Sequence, residues 1–317
     1  MRSKSKPMAL FVNSLRLRQS SALVFALLLG GLSPWGLARA QATAREACTD
    51  ILNIVDSANA NASMKPGSLN WNEPLDQSNS GVCHSMVAAE MLTQVLGDQI
   101  SPASIAYTYK EERSFLMKLG EIANREATRP DYFTGSIGGA LNSALRHGVC
   151  REESFPLWQL WGRLREPEAS IGPAKTLAEI CNSAPQRPRE WNWTLISMQS
   201  RLEDQSSGTP SLQGIDDVLN SGRIVGIDHN VWSLLNPERQ SKTPRLLGVL
   251  PVAGHSASLV GRRWHNGRCQ YLYRNSWGRA CHQYRQDLSC DRGHVWLDEA
   301  EVLRITMYAY AIIPAQP

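Results

Sequence analysis

The sequence predicts an α+β fold with two lobes, a helical lobe followed by a β-rich lobe. The main observation is a change of periodicity along the chain. Apolar residues at three- and four-residue spacing follow Cys83 and recur at about 139–147, which predicts helices. Later in the chain, short β-type runs separated by turns predict strands. We therefore place a mainly helical lobe, with insertions, in residues 41–210 and a mainly β-rich lobe in residues 211–317.

Each predicted element has a local signal. The helix that follows Cys83 is expected to stop at Gly97, and the next helix is expected to start at Ser101-Pro102. Later helices are expected, in chain order, at 139–147, 174–181, 193–202 and 212–220. Strands are expected at 223–228, 256–264, 269–275, 294–297 and 304–312. The stretches 160–210 and 229–252 are interpreted as carrying loop insertions.

Residues 1–40 are predicted to be a secretory signal that is cleaved before Gln41. A basic start without acids is followed by the apolar run 21–32 and by an Ala-x-Ala ending at 38–40. The alternative is an uncleaved membrane anchor. The apolar run is shorter than the ~20 residues that a membrane span needs, and glycines and a proline interrupt it. The mature protein is therefore expected to be secreted or periplasmic.

Removal of the signal changes the net charge of the chain. The full sequence has a formal charge of +4, from 33 Lys+Arg and 29 Asp+Glu. The signal holds six of the basic residues and none of the acidic ones, which leaves 27 − 29 = −2 for the mature protein. This gives no reason to expect nucleic acid or anionic lipid as a partner. No other segment is apolar and long enough to span a membrane, so no membrane contact is expected after signal removal.

The odd number of cysteines points to one unpaired thiol. The seven cysteines are Cys48, Cys83, Cys150, Cys181, Cys269, Cys281 and Cys290. In an oxidising compartment six of them can pair, and the one left over is a candidate working thiol. The only pairing that we predict is Cys281 with Cys290, across a short polar stretch. Zinc bound by Cys281, Cys290 and His294 is the alternative, although the close cysteine pair of structural zinc sites is missing.

Three segments carry residues with catalytic chemistry. Cys83 precedes a helix, whose N-terminal dipole favours the nucleophilic thiolate. His255 opens one predicted strand, and Asn275 closes the next, with Trp277 two residues further on. If the strands are neighbours, Asn275 can accept the ring N–H of His255, and Trp277 can shield that bond from water. Taken separately, these residues also fit an inert buried thiol, a structural histidine, and a turn beside a core aromatic.

Taken together, the segments resemble the papain-like cysteine peptidases. The order Gln77, Cys83, His255, Asn275 matches that family, and Arg-Asn-Ser-Trp-Gly at 274–278 is very close to its asparagine motif. Three further stretches are similar to family segments: the Gly-Gly stretch 138–145, the stretch 148–156 and the glycine-led strand 293–297. The resemblance spans roughly residues 72–312 and is weak between about 160 and 210.

The resemblance implies a role for each matching residue. Cys83 would attack the acyl carbon, and His255 would take its proton and later protonate the leaving amine. Asn275 would hold the His255 ring, with Trp277 in support. The Gln77 side chain and the Cys83 backbone N–H would form the oxyanion hole.

Binding expectations follow from the same resemblance. Gly138, Gly139 and Gly254 would bind substrate, with Gly139 letting the substrate backbone approach because it lacks a side chain. A peptide or protein is the expected substrate, and no metal or organic cofactor is needed. The 42 residues from Gln41 through Val82 leave little room for a long inhibitory pro-segment. Control by narrow specificity or by a separate inhibitor is therefore expected.

The surroundings of Cys83 depart from the family pattern. The family usually has Cys-Gly-Ser-Cys-Trp, whereas residues 80–84 read Ser-Gly-Val-Cys-His. His84 replaces the tryptophan, and a solvated or core role is expected for it rather than an effect on the pKa of Cys83. A catalytically inactive papain-fold binding or scaffold protein, and an acyl transferase using the same triad, are the alternative functions. Two-carboxylate glycosidase chemistry is set aside, because no suitable pair of acids stands out.

Overall fold

The computed structural model describes the greater part of the chain from residue 48 onward. The described residues are 48–54, 69, 74–77, 81–112, 135–159, 176–181, 183–196, 212–236 and 254–315. The predicted signal segment 1–40 and its cleavage point lie outside these residues, as do parts of the two predicted insertions. Residues 47–317 form one compact unit. The assignment of two lobes to 41–210 and 211–317 remains a prediction.

The fold class predicted from the sequence is confirmed, because helices and an antiparallel sheet both contribute to the structure. The helices are α1 (Cys83–Leu96), α2 (Pro102–Glu112), α3 (Ile137–His147), α4 (Leu177–Cys181), α5 (Gln213–Asn220) and α6 (Glu299–Ile305). The strands are β1 (Ile51–Leu52), β2 (Trp191–Ile196), β3 (Val225–Asn230), β4 (Gly254–His265), β5 (Arg268–Arg274), β6 (Ser289–Asp291), β7 (His294–Asp298) and β8 (Thr306–Pro314). Within the described part of the chain, no helix is both long and apolar enough to cross a membrane.

The helix that carries Cys83 begins and ends where the sequence predicts. Gly97 ends α1 in the left-handed region, with φ of 78°, and its N–H donates to the Thr93 carbonyl at 3.1 Å. Glycine adopts this conformation without the penalty that a side chain brings. The next helix also begins as predicted: Pro102 is its first residue, and the Ser101 hydroxyl accepts the N–H of Ser104 at 3.1 Å.

All strand pairs in the sheet are antiparallel, and β4 lies at its centre. The strand order is β2-β8-β3-β4-β5-β7-β6, and β1 also pairs with β4. The strand that begins next to His255 therefore has β3 on one side and β5, which leads into Asn275, on the other. This order confirms that the two predicted strands are neighbours, which was the condition for His255 and Asn275 to meet.

The core fills both faces of this sheet. Helices α1 and α3 cover one face, where the buried apolar residues include Val87, Met91, Ile137, Val260 and Leu272. Helices α5 and α6 pack on the residues that alternate with these, among them Ile215, Ile227, Leu259, Tyr273 and Val302. A smaller cluster under the start of α1 includes Val82, Met86 and Phe155. The start of α1 is therefore supported by its own apolar layer.

Two sequence predictions need correction. The helix predicted at 193–202 is wrong in its described part, because Trp191–Ile196 is strand β2, paired with β8 along its whole length. Pairing with a strand more than one hundred residues away decided the conformation there. The strand predicted at 304–312 begins only at Thr306, because a helix, Glu299–Ile305, precedes it.

The cysteines pair as their odd number suggested. The disulfides are Cys48–Cys269, Cys150–Cys181 and Cys281–Cys290, and Cys83 is the free cysteine. The predicted Cys281–Cys290 bridge is confirmed. The zinc alternative is wrong, because disulfide sulfurs have no thiolate to offer a metal, and His294 instead bonds to Arg274 at 2.9 Å. Three disulfides are typical of a protein from an oxidising compartment.

A buried ion pair joins helix α1 to the central strands. The carboxylate of Glu90 accepts the Nε–H of Arg274 at 2.7 Å and the Ser258 hydroxyl at 2.8 Å. Arg274 directly precedes Asn275, and Ser258 lies three residues after His255 on the same strand. The ion pair therefore ties the helix of Cys83 to the strands of the other two candidate residues.

We predict that Glu90→Gln destabilises the protein by about 3–5 kcal/mol, because it removes one partner of a buried charge pair. Denaturant unfolding followed by fluorescence measures this. Glu153→Gln is the matched control, since Glu153 faces Arg151 at 3.8 Å on the surface and its loss is expected to cost less than about 1 kcal/mol. Equal effects of the two substitutions would show that the buried pair contributes no more than a surface pair.

Candidate active site

Cys83 is the first residue of α1, and it is buried. The preceding Val82 offers no side-chain cap, and the first turn holds no acidic residue. The first N–H groups of a helix have no partner within it and carry the positive end of the helix dipole. Here the N–H of Ser85 already donates to the Val82 carbonyl at 3.0 Å, which leaves Cys83 and His84 at the open end. This environment favours a negative charge on the cysteine sulfur, as the sequence predicted.

His255 is the second residue of β4, and it is also buried. Its Nε2 lies 2.6 Å from Oδ1 of Asn275. Because a carbonyl oxygen only accepts, Nε2 carries the proton and donates it to this bond. The other ring nitrogen, Nδ1, is therefore the one left to face the Cys83 sulfur. The expected contact between His255 and Asn275 is present, with the geometry that fixes the tautomer.

Asn275 is itself held at both ends of its amide. Its Oδ1 also accepts the N–H of Ser276 at 2.7 Å, and its Nδ2 donates to the Tyr284 hydroxyl at 2.8 Å. Because a backbone N–H only donates, the bond from Ser276 shows that this end of the amide is the oxygen, and the same oxygen faces His255. The Trp277 ring lies 4.9 Å from the His255 ring and 5.7 Å from that of Tyr284, measured between centroids. Trp277 therefore packs beside the histidine, as predicted.

The two reacting groups shift each other's pKa in opposite directions. Burial raises the pKa of Cys83, but the charge and hydrogen bond of His255 lower it, and the net pKa lies well below the ordinary value. Burial lowers the pKa of His255, but the charge of Cys83 and bonds to Cys83 and Asn275 raise it above the ordinary value. Opposite shifts of this kind indicate a thiolate–imidazolium pair.

Gln77 is brought to the site by a short pairing with the segment after Asn275. The N–H of Gln77 donates to the Ser276 carbonyl at 2.8 Å, and the N–H of Gly278 donates to the Leu75 carbonyl at 3.0 Å. The Ser276 hydroxyl donates to Oε1 of Gln77 at 2.8 Å, so the oxygen of this amide is bound to Ser276 and the other end of the amide is the donor Nε2. A donor role for Gln77 in an oxyanion hole stays a prediction.

Two of the three glycines predicted to bind substrate, Gly138 and Gly139, are closely packed. Gly138 and Gly139 lie in the first turn of α3, and the N–H of Gly139 donates to the Ser136 hydroxyl at 3.1 Å. A Cβ on Gly139 would lie 2.6 Å from the Tyr109 ring, so close packing explains this glycine. Gly254 is exposed at the start of β4, with open space where a Cβ would be. The substrate-binding roles of all three glycines stay predictions.

Sequence reasoning missed Tyr284, which anchors Asn275. Tyr284 lies inside the loop closed by the Cys281–Cys290 disulfide and is buried. In the sequence, only the pair Cys281 and Cys290 indicated that this loop is held in place. No local pattern indicated that the loop folds back onto Asn275.

Two residues of β3 were also missed. The carboxylate of Asp228 accepts the Ser256 hydroxyl at 2.6 Å and the N–H of Ile137 at 3.3 Å, which joins the start of α3 to the sheet. Burial raises its pKa. His229 faces His255 across the strand pair, with ring centroids 5.4 Å apart. Burial and the charge of His255 hold the pKa of His229 well below its ordinary value, so His229 is neutral.

Of the two roles expected for His84, the core role fits the structure and the solvated role is wrong. His84 is buried rather than solvated, and its position beside Cys83 contributes to the lowered pKa of that cysteine, after the larger influence of His255. The physical reason is its position, because it follows Cys83 directly at the start of α1 and its ring is confined beside Tyr109.

Comparison with known proteins gives neighbours among solved structures only. No protein-family model matches this chain, and no curated protein matches it. The solved structures similar to it include papain-like cysteine protease proforms. One is the digestive procathepsin L 3 of the Tenebrio molitor larval midgut, with 13% identity, a TM-score of 0.46 and coverage of 77% of this chain and 66% of that one.

A second similar structure is the proform of the Amb a 11 cysteine protease, a major ragweed pollen allergen. It has 14% identity and a TM-score of 0.45, and the alignment covers 84% of this chain and 66% of that one. The match thus spans just under two thirds of each of the two neighbours. Neither likeness says what this chain does, and its chemistry rests on the side chains described above.

We predict that Tyr284→Phe slows alkylation of Cys83 by iodoacetamide at mildly acidic pH by about 3- to 10-fold. The substitution removes one anchor of Asn275, worth about 1 kcal/mol, and so loosens the His255 ring that stabilises the thiolate. Tyr308→Phe, at an exposed tyrosine of β8, is the matched control and is expected to leave the rate unchanged. Equal rates for the two variants would mean that Tyr284 does not help to orient the site.

Proposed function

We propose that this chain is an exported thiol peptidase that hydrolyses peptide bonds through Cys83, His255 and Asn275. The observation that carries the proposal is the combination of a free cysteine at a helix N-terminus, a pKa lowered mainly by His255, and a 2.6 Å bond that holds His255 to Asn275. An inert buried thiol would have a raised pKa, because burial alone disfavours the charged form.

The acylation step follows from this geometry. The Cys83 thiolate attacks the carbonyl carbon of the scissile peptide bond, and the carbonyl oxygen becomes an oxyanion. Gln77 Nε2 and the Cys83 backbone N–H are the proposed donors to that oxyanion, and one such donor contributes about 3–4 kcal/mol in enzymes where it was removed. The carbon–nitrogen bond then breaks, His255 gives its proton to the leaving amine, and a thioester remains on Cys83.

In deacylation, His255 accepts a proton instead of giving one. His255, now neutral, takes a proton from a water molecule, whose oxygen attacks the thioester carbon. The carbon–sulfur bond breaks, the acid product leaves, and the thiolate–imidazolium pair forms again. Asn275 holds the ring throughout, because its bond to Nε2 does not involve the nitrogen that exchanges protons. These steps need no metal or organic cofactor. An amine in place of water would make the same site an acyl transferase.

The proposed setting is outside the cytoplasm, in the periplasm or the extracellular medium. The three disulfides support it, and so does the signal predicted from the sequence. The Cys48–Cys269 disulfide limits the length of a removable pro-piece. A peptide that contains Cys48 would stay attached through the disulfide after cleavage, so a pro-piece released without reduction has to end before Cys48. We therefore expect control by a separate inhibitor or by narrow specificity toward a peptide or protein substrate.

Active-site labelling tests the proposal directly. After mild reduction, a peptide epoxide that reacts with activated thiols is expected to label Cys83 stoichiometrically, as mapped by mass spectrometry. His255→Ala is expected to abolish the labelling, and Cys83→Ala is expected to abolish peptide hydrolysis while the protein stays folded. His265→Ala, at an exposed histidine of β4, is the matched control.

The opposite result would favour a different function. Folded protein with an unlabelled Cys83, and hydrolysis unchanged in Cys83→Ala, would contradict the proposal. Labelling without any hydrolysis would leave an activated thiol in an acyl transferase or a binding protein.

The pH dependence of kcat/KM is expected to be bell-shaped. The pKa of Cys83 is lowered and the pKa of His255 is raised, so the ion pair exists between the two values. Activity should rise at a pH below the free-cysteine pKa of about 8.5 and fall at a pH above the free-histidine pKa of about 6.5. Steady-state rates on a peptide substrate measure both limbs. A single rising limb near pH 8.5 would exclude the ion pair.

A further inference from the structure

His229 is the neighbour of His255 within the sheet. The two residues are directly opposite each other on the paired strands β3 and β4, where side chains project from the same face and interact. Their rings meet at a steep angle of 70°, with centroids 5.4 Å apart. The candidate catalytic histidine therefore has a second imidazole packed against it.

Packing alone does not explain a histidine at this position. Ile227 and Ala257, the next residue pair on this face of the two strands, belong to the apolar core. His229 is 0% exposed, and its Nδ1 has no hydrogen-bond partner among the described residues. A buried polar atom without a partner costs free energy that an aliphatic side chain would avoid. The histidine therefore calls for a functional reason.

The other nitrogen of His229 is held by Tyr273. Nε2 shares a hydrogen bond with the Tyr273 hydroxyl at 2.9 Å, and the two rings are nearly perpendicular, with centroids 5.2 Å apart. Tyr273 is itself fully buried on β5. The bond and the ring contact fix the orientation of His229, so His229 can in turn support a neighbouring ring.

These contacts close a circuit that begins and ends at His255. On one side, His255 donates to Asn275 at 2.6 Å, and Asn275 donates to the Tyr284 hydroxyl at 2.8 Å. The Tyr284 ring meets the Tyr273 ring at 90°, with centroids 6.5 Å apart. On the other side, Tyr273 leads back to His255 through His229. Two neighbouring tyrosines thus hold both supports of the His255 ring.

A single hydrogen bond does not fix the orientation of a ring. The bond to Asn275 places Nε2 of His255 but leaves the ring free to tilt about that atom. Trp277 and His229 both contact the His255 ring, and among the described residues they make no ring contact with each other. They therefore touch different parts of the His255 ring, and together they restrict its tilt.

We propose that His229 is a positioning residue that fixes the tilt of the His255 ring and keeps its Nδ1 directed at Cys83. The inference rests on the proposed function, in which His255 exchanges a proton with Cys83 and the substrate. His229 acts through His255 and takes no proton itself. A reacting group that is out of line slows the chemical steps, whereas substrate binding does not depend on it. Loss of the support is therefore expected in kcat rather than in KM.

The sharpest test is Tyr273→Phe, which removes the hydroxyl that holds His229 and keeps the ring. Rates on a peptide substrate are expressed per active site, titrated with the peptide epoxide, so that unfolded protein does not count. We expect kcat to fall about 3- to 10-fold, as for the loss of one hydrogen bond, and KM to change by less than about 2-fold.

Tyr271→Phe is the matched control on the same strand. Tyr271 is also buried, and its hydroxyl donates to Asp216 on α5 at 2.8 Å. Loss of this hydroxyl is expected to lower the stability of the fold while kcat per titrated site stays unchanged. Equal kcat in Tyr273→Phe and Tyr271→Phe, with an active wild type, would overturn the positioning role and keep the proposed function.

A double-variant cycle tests whether Tyr273 acts through His229. His229→Phe keeps a ring beside His255 and removes the nitrogen that bonds Tyr273. In this background, Tyr273→Phe is expected to cause no further loss of kcat, because the bond is already absent. Losses that multiply in the double variant would contradict the inference.

Nitrogen-15 NMR decides the inference without any activity. The Nε2–H of His255 is expected to exchange with solvent faster in Tyr273→Phe than in Tyr271→Phe, because a ring that tilts breaks its bond to Asn275 more often. Equal exchange in the two variants would overturn the inference. Faster exchange in Tyr273→Phe, in a protein whose wild type hydrolyses no peptide, would overturn the proposed function and keep His229 as a support of His255.

The wild-type protein provides a further test if the variants do not fold. Ring protons of His229 and His255 that lie in fixed contact are expected to show a nuclear Overhauser effect. Its absence in the folded protein would contradict the inference.

Discussion

The site depends on the buried contact between Glu90 and the two central strands. Its carboxylate bonds Arg274 at 2.7 Å and Ser258 at 2.8 Å, so one side chain of α1 fixes two strands at once. In a poorly hydrated interior, separating Glu90 from Arg274 would leave two unpaired charges at a high cost in free energy. The ion pair therefore prevents helix α1 from sliding along the sheet. Cys83 lies two turns before Glu90 on the same helix. The contact of Glu90 with the strands therefore fixes the position of Cys83 relative to His255 and Asn275.

The histidines around this framework show how partners decide charge. Burial alone lowers the pKa of a histidine. His294 follows this rule: with burial and the guanidinium of Arg274 beside it, its pKa falls to about 3, and the neutral ring accepts a hydrogen bond from Arg274. His229 is neutral for a similar reason. His255 is equally buried but has the Cys83 thiolate as partner, so its pKa rises instead.

Local patterns predicted those parts of the fold that local physics decides. The helix from Cys83 to Gly97 follows from apolar spacing and a glycine stop, and the strands of His255 and Asn275 follow from β-type runs. The strand Trp191–Ile196 was mistaken for a helix, because its conformation comes from pairing with β8. The anchoring of Asn275 by Tyr284 could not be predicted, since it requires a disulfide-closed loop to fold back over nine residues.

The burial of Cys83 explains why the site needs more than a cysteine and a histidine. Burial is the largest influence on the Cys83 pKa, and it acts against the thiolate. His255 is the main group that outweighs burial, and the helix N-terminus favours the same charge. The bond to Asn275 and the contact with Trp277 hold the His255 ring in place. Loss of one of these supports shifts the balance toward the neutral thiol, which is a poor nucleophile. A protein that needed only the fold would gain nothing from groups that favour a charged sulfur against the effect of burial. The presence of these groups around Cys83 is therefore the physical reason to expect catalysis.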